Sequence, residues 1–198
     1  MDNINKQKHF LDIGANCGNT FDYFLDSQSD LFGCTVWCFE PSPRYFTRLL
    51  DRTKLSSSKF NIRICPFGLG GKTETMRFYE KDHNDVSDSF FNPIQYFGTP
   101  IKDPKYLVIG SIVSISEFIK MHIPSEDEII LKVDCEGAEF ALYEDLLNNP
   151  NILKQVTKIY NEWHPSWGHF NEEELNRATN IVNRISTEHN LTLDVWPF

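Results

Sequence analysis

Long apolar runs are absent from this sequence. No stretch approaches the about 18 apolar residues that a membrane span needs, and the opening MDNINKQKHF contains no apolar signal segment. Basic clusters are absent too: 19 Lys and Arg residues are outnumbered by 28 Asp and Glu residues, and the formal net charge is -9. Because such a chain repels phosphate backbones, we do not expect it to bind nucleic acid. Because it has no apolar signal segment or membrane span, we expect a soluble cytoplasmic protein that does not bind membranes.

Cysteine is too scarce and too irregularly spaced for a disulfide framework. The chain has 5 cysteines, an odd number, with no regular spacing between them. Cys34 and Cys38 form a C-x3-C pair, but no second Cys or His pair lies nearby to complete a zinc site. We therefore expect free thiols, buried or half-buried, in a reducing compartment.

The composition is that of a folded protein: 198 residues, of which 40% are hydrophobic and 14% aromatic, fit one domain over residues 1–198. Strand-like and helix-like segments alternate, which is typical of α/β proteins. We predict a doubly wound, mostly parallel sheet with helices on both faces. The predicted strands cover residues 9–13, 35–39, 60–65, 75–79, 128–133, 156–160 and 191–195, a turn covers 68–71, and the helices cover 20–25, 116–121, 138–147 and 172–189, with one more beginning at Pro43.

The segment over residues 82–106 has no clear helix or strand pattern. Its prolines and aromatic residues alternate closely: Phe90, Phe91, Pro93, Tyr96, Phe97, Pro100 and Pro104. Irregular segments of this length in compact domains are usually functional. We predict a substrate loop that covers the acceptor.

The turn after the first strand is the first candidate for ligand binding, because ligands of such sheets bind at the carboxyl ends of the strands. It reads DIGANCG, and its glycines let backbone N–H groups approach a ligand. The dinucleotide pattern G-x-G-x-x-G is absent, and a carboxylate ahead of the glycines would repel a pyrophosphate but attract a methionine amino group. The turn predicts contacts to S-adenosylmethionine from Asp12, Gly14, Ala15, Asn16 and Gly18.

The second strand is followed by Glu40 and Pro41, which we assign to the same cofactor site. Glu40 lies about 20 residues beyond the glycine turn, the spacing expected of a carboxylate that accepts both ribose hydroxyls. The alternative is a solvated glutamate at a strand end, and the neighbouring turn favours the ribose role. Phe67 and Gly68, which follow the third strand, are predicted to form the adenine slot.

Three blocks of the sequence are similar to the FkbM family of methyltransferases: FLDIGANCGNT, CFEPSP and LKVDCEGAEF. The third block, a K-x-D-x-E-G-A-E run after a buried strand, is the most specific. The order and spacing of the blocks match over roughly residues 9–165. The resemblance implies a class I methyltransferase fold and O-methylation, often of sugar or polyketide hydroxyls.

Carboxylates and a histidine follow the fourth and fifth strands of the predicted sheet. Asp134 and Glu136 leave one strand, Glu162 and His164 leave its neighbour, and we predict that these four residues form the catalytic site. Asp134 is also assigned to the cofactor site. In one interpretation Asp134, Glu162 and His164 hold Mg²⁺ or another divalent cation that binds substrate hydroxyls. In the other no metal is bound, and His164 or a carboxylate removes the proton.

Two of these carboxylates have structural alternatives. Glu136 could cap the helix that starts near Gly137, and Glu162 could pair with Lys132. Lys132 lies in a strand expected to be buried on both faces, so it needs a carboxylate partner.

The residues at the strand ends favour an S-adenosylmethionine-dependent methyltransferase, and the resemblance to the FkbM family implies an O-methyltransferase that acts on a hydroxyl of a sugar, a glycan or a similar polyhydroxylated small molecule. An NAD-dependent oxidoreductase is one alternative, and the missing G-x-G-x-x-G pattern argues against it. A non-catalytic cofactor-binding module is another, and the intact acidic set at the strand ends argues against that. Assembly into a homo-oligomer is compatible with the sequence.

Overall fold

The computed structural model of the chain describes residues 6–20, 31–56, 60–80, 95–96, 99–100, 106–162, 164, 171–188, 191 and 193–195. Nearly all of the predicted helix over residues 20–25 and most of the predicted loop over residues 82–106 lie outside these ranges. Both therefore stay predictions.

The described residues form eleven strands and five helices. The strands are β1 (Lys8–Ile13), β2 (Thr35–Phe39), β3 (Asn61–Cys65), β4 (Gly68–Gly70), β5 (Glu74–Glu80), β6 (Gln95–Tyr96), β7 (Thr99–Pro100), β8 (Tyr106–Ser114), β9 (Glu128–Val133), β10 (Val156–Asn161) and β11 (Leu193–Val195). The helices are α1 (Pro43–Ser56), α2 (Ile115–His122), α3 (Glu139–Asn148), α4 (Pro150–Leu153) and α5 (Glu172–Glu188). None of these helices has the length and apolar character needed to cross a membrane.

The main sheet has six strands in the order β11-β10-β9-β1-β2-β3, and every neighbouring pair is parallel. From β1 the chain runs outward through β2 and β3, returns to β9 beside β1, and runs outward again through β10 and β11. The strand order thus reverses between β1 and β9, which is the point where ligands bind in a doubly wound sheet. The predicted fold class is confirmed.

A second sheet, in the order β4-β8-β5, was not predicted as such. Residues 68–71 were expected to form a turn, but Gly68–Gly70 forms β4, parallel to β8. The reason is close approach: a Cβ atom on Gly68 or Gly70 would lie 2.7 or 2.8 Å from side-chain carbons of Ile112 on β8. Within the segment expected to be irregular, β6 and β7 form a short antiparallel pair.

Apolar side chains cover both faces of the main sheet. One cluster joins Leu11 and Val133 with Leu142 of α3 and Ile181 of α5. The other joins Phe10, Val36 and Ile130 with Leu49 of α1. Because β1, β2 and β9 are buried on both faces, a ligand can reach these strands only at their ends.

Candidate functional site

Four parallel strands end level with one another. Ile13 of β1 is in register with Phe39 of β2 and with Val133 of β9, and Val133 is in register with Asn161 of β10. The segments that follow β1, β2, β9 and β10 therefore start at one edge of the sheet, around the point where strand order reverses. We call this group of segments the strand-end site.

The turn after β1 is pressed against the end of β9. Gly14 has a φ of 79°, in the left-handed region, and a Cβ atom on it would lie 1.8 Å from the carbonyl oxygen of Asp134. The backbone N–H of Asp134 donates to the carbonyl of Ile13 at 3.1 Å. Since only glycine fits, Gly14 determines how closely the turn after β1 and the turn after β9 approach.

The backbone N–H groups of this first turn are bound within the protein. Those of Gly14 and Ala15 donate to the carbonyl of Phe39 at 3.2 and 3.0 Å, and that of Gly18 donates to Ala15 at 2.9 Å. The N–H of Asn16 donates to Glu40 Oε2 at 2.8 Å. These bonds hold the turn against β2, so its predicted contacts would be made by a preorganised surface.

Glu40 is buried, with 6% of its surface exposed, so the alternative of a solvated glutamate is wrong. Its Oε1 accepts from the N–H of Ser42 at 2.7 Å, and its Oε2 accepts from Asn16. A carboxylate has lone pairs for about four hydrogen bonds. The two backbone bonds fix the Glu40 carboxylate at the end of β2.

The residues predicted for the adenine slot lie against the end of β2. The ring of Phe67 is half-buried, 5.8 Å from the ring of Phe39. Gly68 is buried, and a Cβ atom on it would lie 3.4 Å from Pro41. Phe67 and Gly68 are thus close to the end of β2, and their contact with adenine stays a prediction.

Asp12 and Asp134 share one buried cation. Lys132 Nζ lies 3.2 Å from a carboxylate oxygen of each and donates to the carbonyl of Gly14 at 2.8 Å. Burial alone would lower the pKa of Lys132, but the two carboxylates raise it above its ordinary value. Lys132 thus pairs with these two residues, whereas the sequence left open a pairing with Glu162.

The carboxylate of Asp12 has no surface at the strand-end site, because the residue is 0% exposed. This placement does not support the predicted direct contact between Asp12 and a methionine amino group. The charge of Asp12 instead balances that of Lys132 inside the sheet.

His164 lies among four carboxylates. Its Nδ1 lies 2.9 Å from Glu139, and its Nε2 lies 3.9 Å from Asp134, 3.5 Å from Glu136 and 3.6 Å from Glu162. The fold therefore brings together all four residues that the sequence singles out for catalysis.

Three members of this cluster have the geometry of a metal-binding group. One ligand atom each from Asp134, Glu162 and His164 lies within 4.8 Å of the others. Carboxylate oxygens and an imidazole nitrogen suit divalent cations. The side chains of Asp134 and Glu162 are 22% and 39% exposed, so the carboxylate side of the group is open.

The pKa values of His164 and Glu162 bear on which of them could act as the base when no metal is bound. Burial would lower the pKa of His164, but Glu139, Glu136 and Asp134 raise it to about 9. The imidazole is therefore protonated at neutral pH when no cation is bound, and it has no lone pair with which to accept a proton. This does not support His164 as an unaided base. Burial and the charge of Asp134 raise the pKa of Glu162.

Glu136 does not cap the following helix. α3 begins at Glu139, and its N-cap residue, Ala138, makes no side-chain capping bond. Glu136 lies in the left-handed region with a φ of 55°, and its carboxylate faces His164. A non-glycine residue there costs roughly 1–2 kcal/mol, and such strain is concentrated at functional sites.

Glu139 is the site residue that the sequence did not reveal. It is 0% exposed and accepts from the N–H groups of Cys135 and Gly137 as well as from His164. As the last residue of the E-G-A-E run it resembles any acidic residue in a first helical turn. The one available signal was its place in the most specific block of the sequence.

Known proteins resemble this chain in sequence and in fold. The Methyltransferase FkbM domain family matches residues 12–189. A crystal structure of Methyltransferase FkbM from Methylobacillus flagellatus KT has a similar fold, with a TM-score of 0.53, 16% sequence identity, and a match that covers 90% of this chain and 37% of that one. No sequence among the curated proteins matches the chain. Because the family match spans most of its length, the chain belongs to the FkbM methyltransferase family.

Proposed function

We propose that this protein transfers a methyl group from S-adenosylmethionine to a hydroxyl of a sugar, a glycan or a similar polyhydroxylated small molecule. Membership of the FkbM methyltransferase family supports the reaction class. The observation that carries the proposal for the acceptor is the grouping of Asp134, Glu162 and His164, with ligand atoms within 4.8 Å of one another. Such a group suits an acceptor with several hydroxyl oxygens, bound directly or through a cation.

The ends of β1 and β2 suit the cofactor. Glu40, fixed by two backbone N–H groups, would accept hydrogen bonds from the ribose hydroxyls. Pro41, Phe67 and Gly68 would border the base. S-adenosylmethionine, when bound, supplies a methyl group on a positively charged sulfur. Gly14 allows the turn after β1 to contact Asp134, so the methyl donor and the acceptor hydroxyl would be adjacent.

The carboxylate cluster also fits a divalent cation, and Asp134, Glu162 and His164 would hold it. Three protein ligands suffice, because Mg²⁺-type ions usually keep several waters. When bound, such an ion lowers the pKa of a sugar hydroxyl and orients a vicinal diol. Four carboxylates around a single imidazole leave negative charge that a cation would balance.

Without a cation, Glu162 is better placed than His164 to take the proton of the acceptor. Its side chain is 39% exposed, against 7% for His164. Burial and the charge of Asp134 raise its pKa, and a base with a raised pKa accepts a proton more readily. The two routes predict different responses to a chelator, which allows them to be separated.

Calorimetric titration tests the proposal at the level of binding. The protein should bind S-adenosylmethionine and S-adenosylhomocysteine, should not bind NAD, and should bind Mn²⁺ as a probe of the cation site. Asp134→Asn should weaken Mn²⁺ binding by at least about tenfold. Glu126→Gln, an exposed position at the opposite end of β9, should leave it unchanged. Binding of NAD in place of S-adenosylmethionine would overturn the proposed cofactor. Unchanged Mn²⁺ affinity in Asp134→Asn would overturn the proposed cation site.

A further inference from the structure

We propose that Glu139 is a positioning residue of the strand-end site, in which one carboxylate oxygen fixes both the imidazole of His164 and the turn that carries Asp134 and Glu136. The proposal rests on the proposed function only for what the positioned groups do. The positioning itself is a claim about hydrogen bonds and has its own test.

A single oxygen atom, Oε1 of Glu139, receives three hydrogen bonds. The donors are Nδ1 of His164 at 2.9 Å, the N–H of Cys135 at 3.2 Å and the N–H of Gly137 at 3.1 Å. Because Glu139 is 0% exposed, solvent does not compete for this oxygen. Charge-assisted bonds of this kind, shielded from water, hold their donors firmly.

The bond to Glu139 determines which nitrogen His164 presents to the site. Because Oε1 of Glu139 already accepts from two backbone N–H groups, Nδ1 is taken as the donor of this bond and carries its proton. Nε2 is then the nitrogen that faces Asp134, Glu136 and Glu162, at 3.9, 3.5 and 3.6 Å. Rotating the ring by half a turn would replace nitrogen by C–H at both positions and break the bond to Glu139.

The same oxygen restrains the turn after β9. Cys135 and Gly137, its two backbone donors, flank Glu136, which has the left-handed φ of 55°. Bonds from both neighbours to one buried atom stabilise this strained conformation. Glu139 thereby couples the orientation of the imidazole to the placement of carboxylates that face it.

A purely structural glutamate would hold the turn and leave His164 unaffected. The two roles therefore differ in one observable, the hydrogen bond at Nδ1. A buried imidazole N–H bonded to a carboxylate exchanges slowly with water and gives a proton NMR resonance far downfield of the backbone amides. The chain has 6 histidines, so the resonance of His164 is assigned by its loss in His164→Asn.

The wild-type protein should show this resonance, and Glu139→Gln should shift it upfield or abolish it. Glu144→Gln, on the same helix and partly exposed, should leave it in place. A wild-type spectrum without a resonance that disappears in His164→Asn would overturn the proposal, and so would a resonance unchanged in Glu139→Gln. The wild-type spectrum decides even where Glu139→Gln does not fold.

Kinetics then show whether Glu139 acts through His164. Glu139→Gln should lower kcat/KM by about 10- to 100-fold, whereas in a His164→Asn background the same change should cause a clearly smaller loss, the part that arises from the turn after β9. Equal losses in both backgrounds would contradict positioning through His164. A wild-type protein that transfers no methyl group to any hydroxyl acceptor would refute the proposed function, and the NMR result would still decide the role of Glu139.

Discussion

At the scale of single residues, Gly14 leaves no room for a side chain. A Cβ atom there would lie 1.8 Å from the Asp134 carbonyl oxygen, whereas Gly33 has a similar φ of 81° with nothing within 4 Å. Gly33→Ala should therefore cost only the left-handed backbone strain, roughly 1–2 kcal/mol. Gly14→Ala should cost roughly 1–3 kcal/mol more, from overpacking. Urea unfolding of the two variants measures the difference, and equal losses would contradict the close approach of the two turns.

Glu40 gives a second prediction at this scale. Glu40→Ala removes the carboxylate proposed to accept the ribose hydroxyls, so S-adenosylmethionine binding should weaken by about 1–3 kcal/mol, measured by calorimetry. Glu126→Ala, far from the site, is the control. Because Glu40 also binds Asn16 and Ser42, thermal unfolding must show that the variant is folded at the assay temperature. A folded variant with unchanged affinity would remove Glu40 from the cofactor site.

At the scale of elements, Lys132 links β9 to β1 through its contact with Asp12 and to the turn after β1 through its bond to the Gly14 carbonyl. Lys132→Met would leave the 0% exposed carboxylate of Asp12 without this cation. Breaking a buried pair in this way should lower the free energy of unfolding by about 3–5 kcal/mol. Lys154→Met, at an exposed position, is the control.

The compensating change provides the check on that prediction. Asp12→Asn added to Lys132→Met removes the unpaired charge, so it should restore part of the lost stability. If the double variant is less stable than Lys132→Met alone, Asp12 is stabilised by something other than Lys132.

Elements with uniform apolar patterns could be predicted from the sequence. Strands buried on both faces, such as β2 and β9, read as continuous apolar runs, and helices such as α1 begin at a clear proline signal. β4 and β8 could not be predicted in the same way. Glycines at positions 68 and 70 are typical of a turn. Here they are required because they contact Ile112, and this contact is visible only in the folded structure.

Only some residues of the candidate site could be predicted from the sequence. Residues next to strand ends, such as Asp134, Glu162 and His164, could be predicted because parallel strands end at one edge. Contacts between side chains that are distant in the sequence could not be predicted. The pairing of Lys132 with Asp12 and the bond between Glu139 and His164 depend on register and side-chain direction, which no local pattern encodes.

At the scale of the whole molecule, the sheet topology and the position of the strand-end site agree with membership of the FkbM methyltransferase family. The strand order reverses between β1 and β9, and the residues predicted to bind the cofactor and the carboxylates around His164 lie on either side of that point. The segment over residues 82–106, expected to cover the acceptor, lies mostly outside the described residues, and that role stays a prediction.

The most direct test of this account is methyl transfer itself. S-adenosylmethionine carrying a labelled methyl group is incubated with the protein and a panel of sugars and other polyhydroxylated acceptors, with Mg²⁺ or Mn²⁺ and separately after exhaustive EDTA treatment. We predict label in a hydroxyl acceptor, loss of at least about tenfold in activity in EDTA with recovery on adding the ion, and a similar loss in Asp134→Asn but not in Glu126→Gln. Full activity in EDTA would show that the reaction needs no cation, and Glu162 would then be the base to substitute next. No label in any acceptor, from a folded protein that binds S-adenosylmethionine, would contradict the proposed O-methyltransferase.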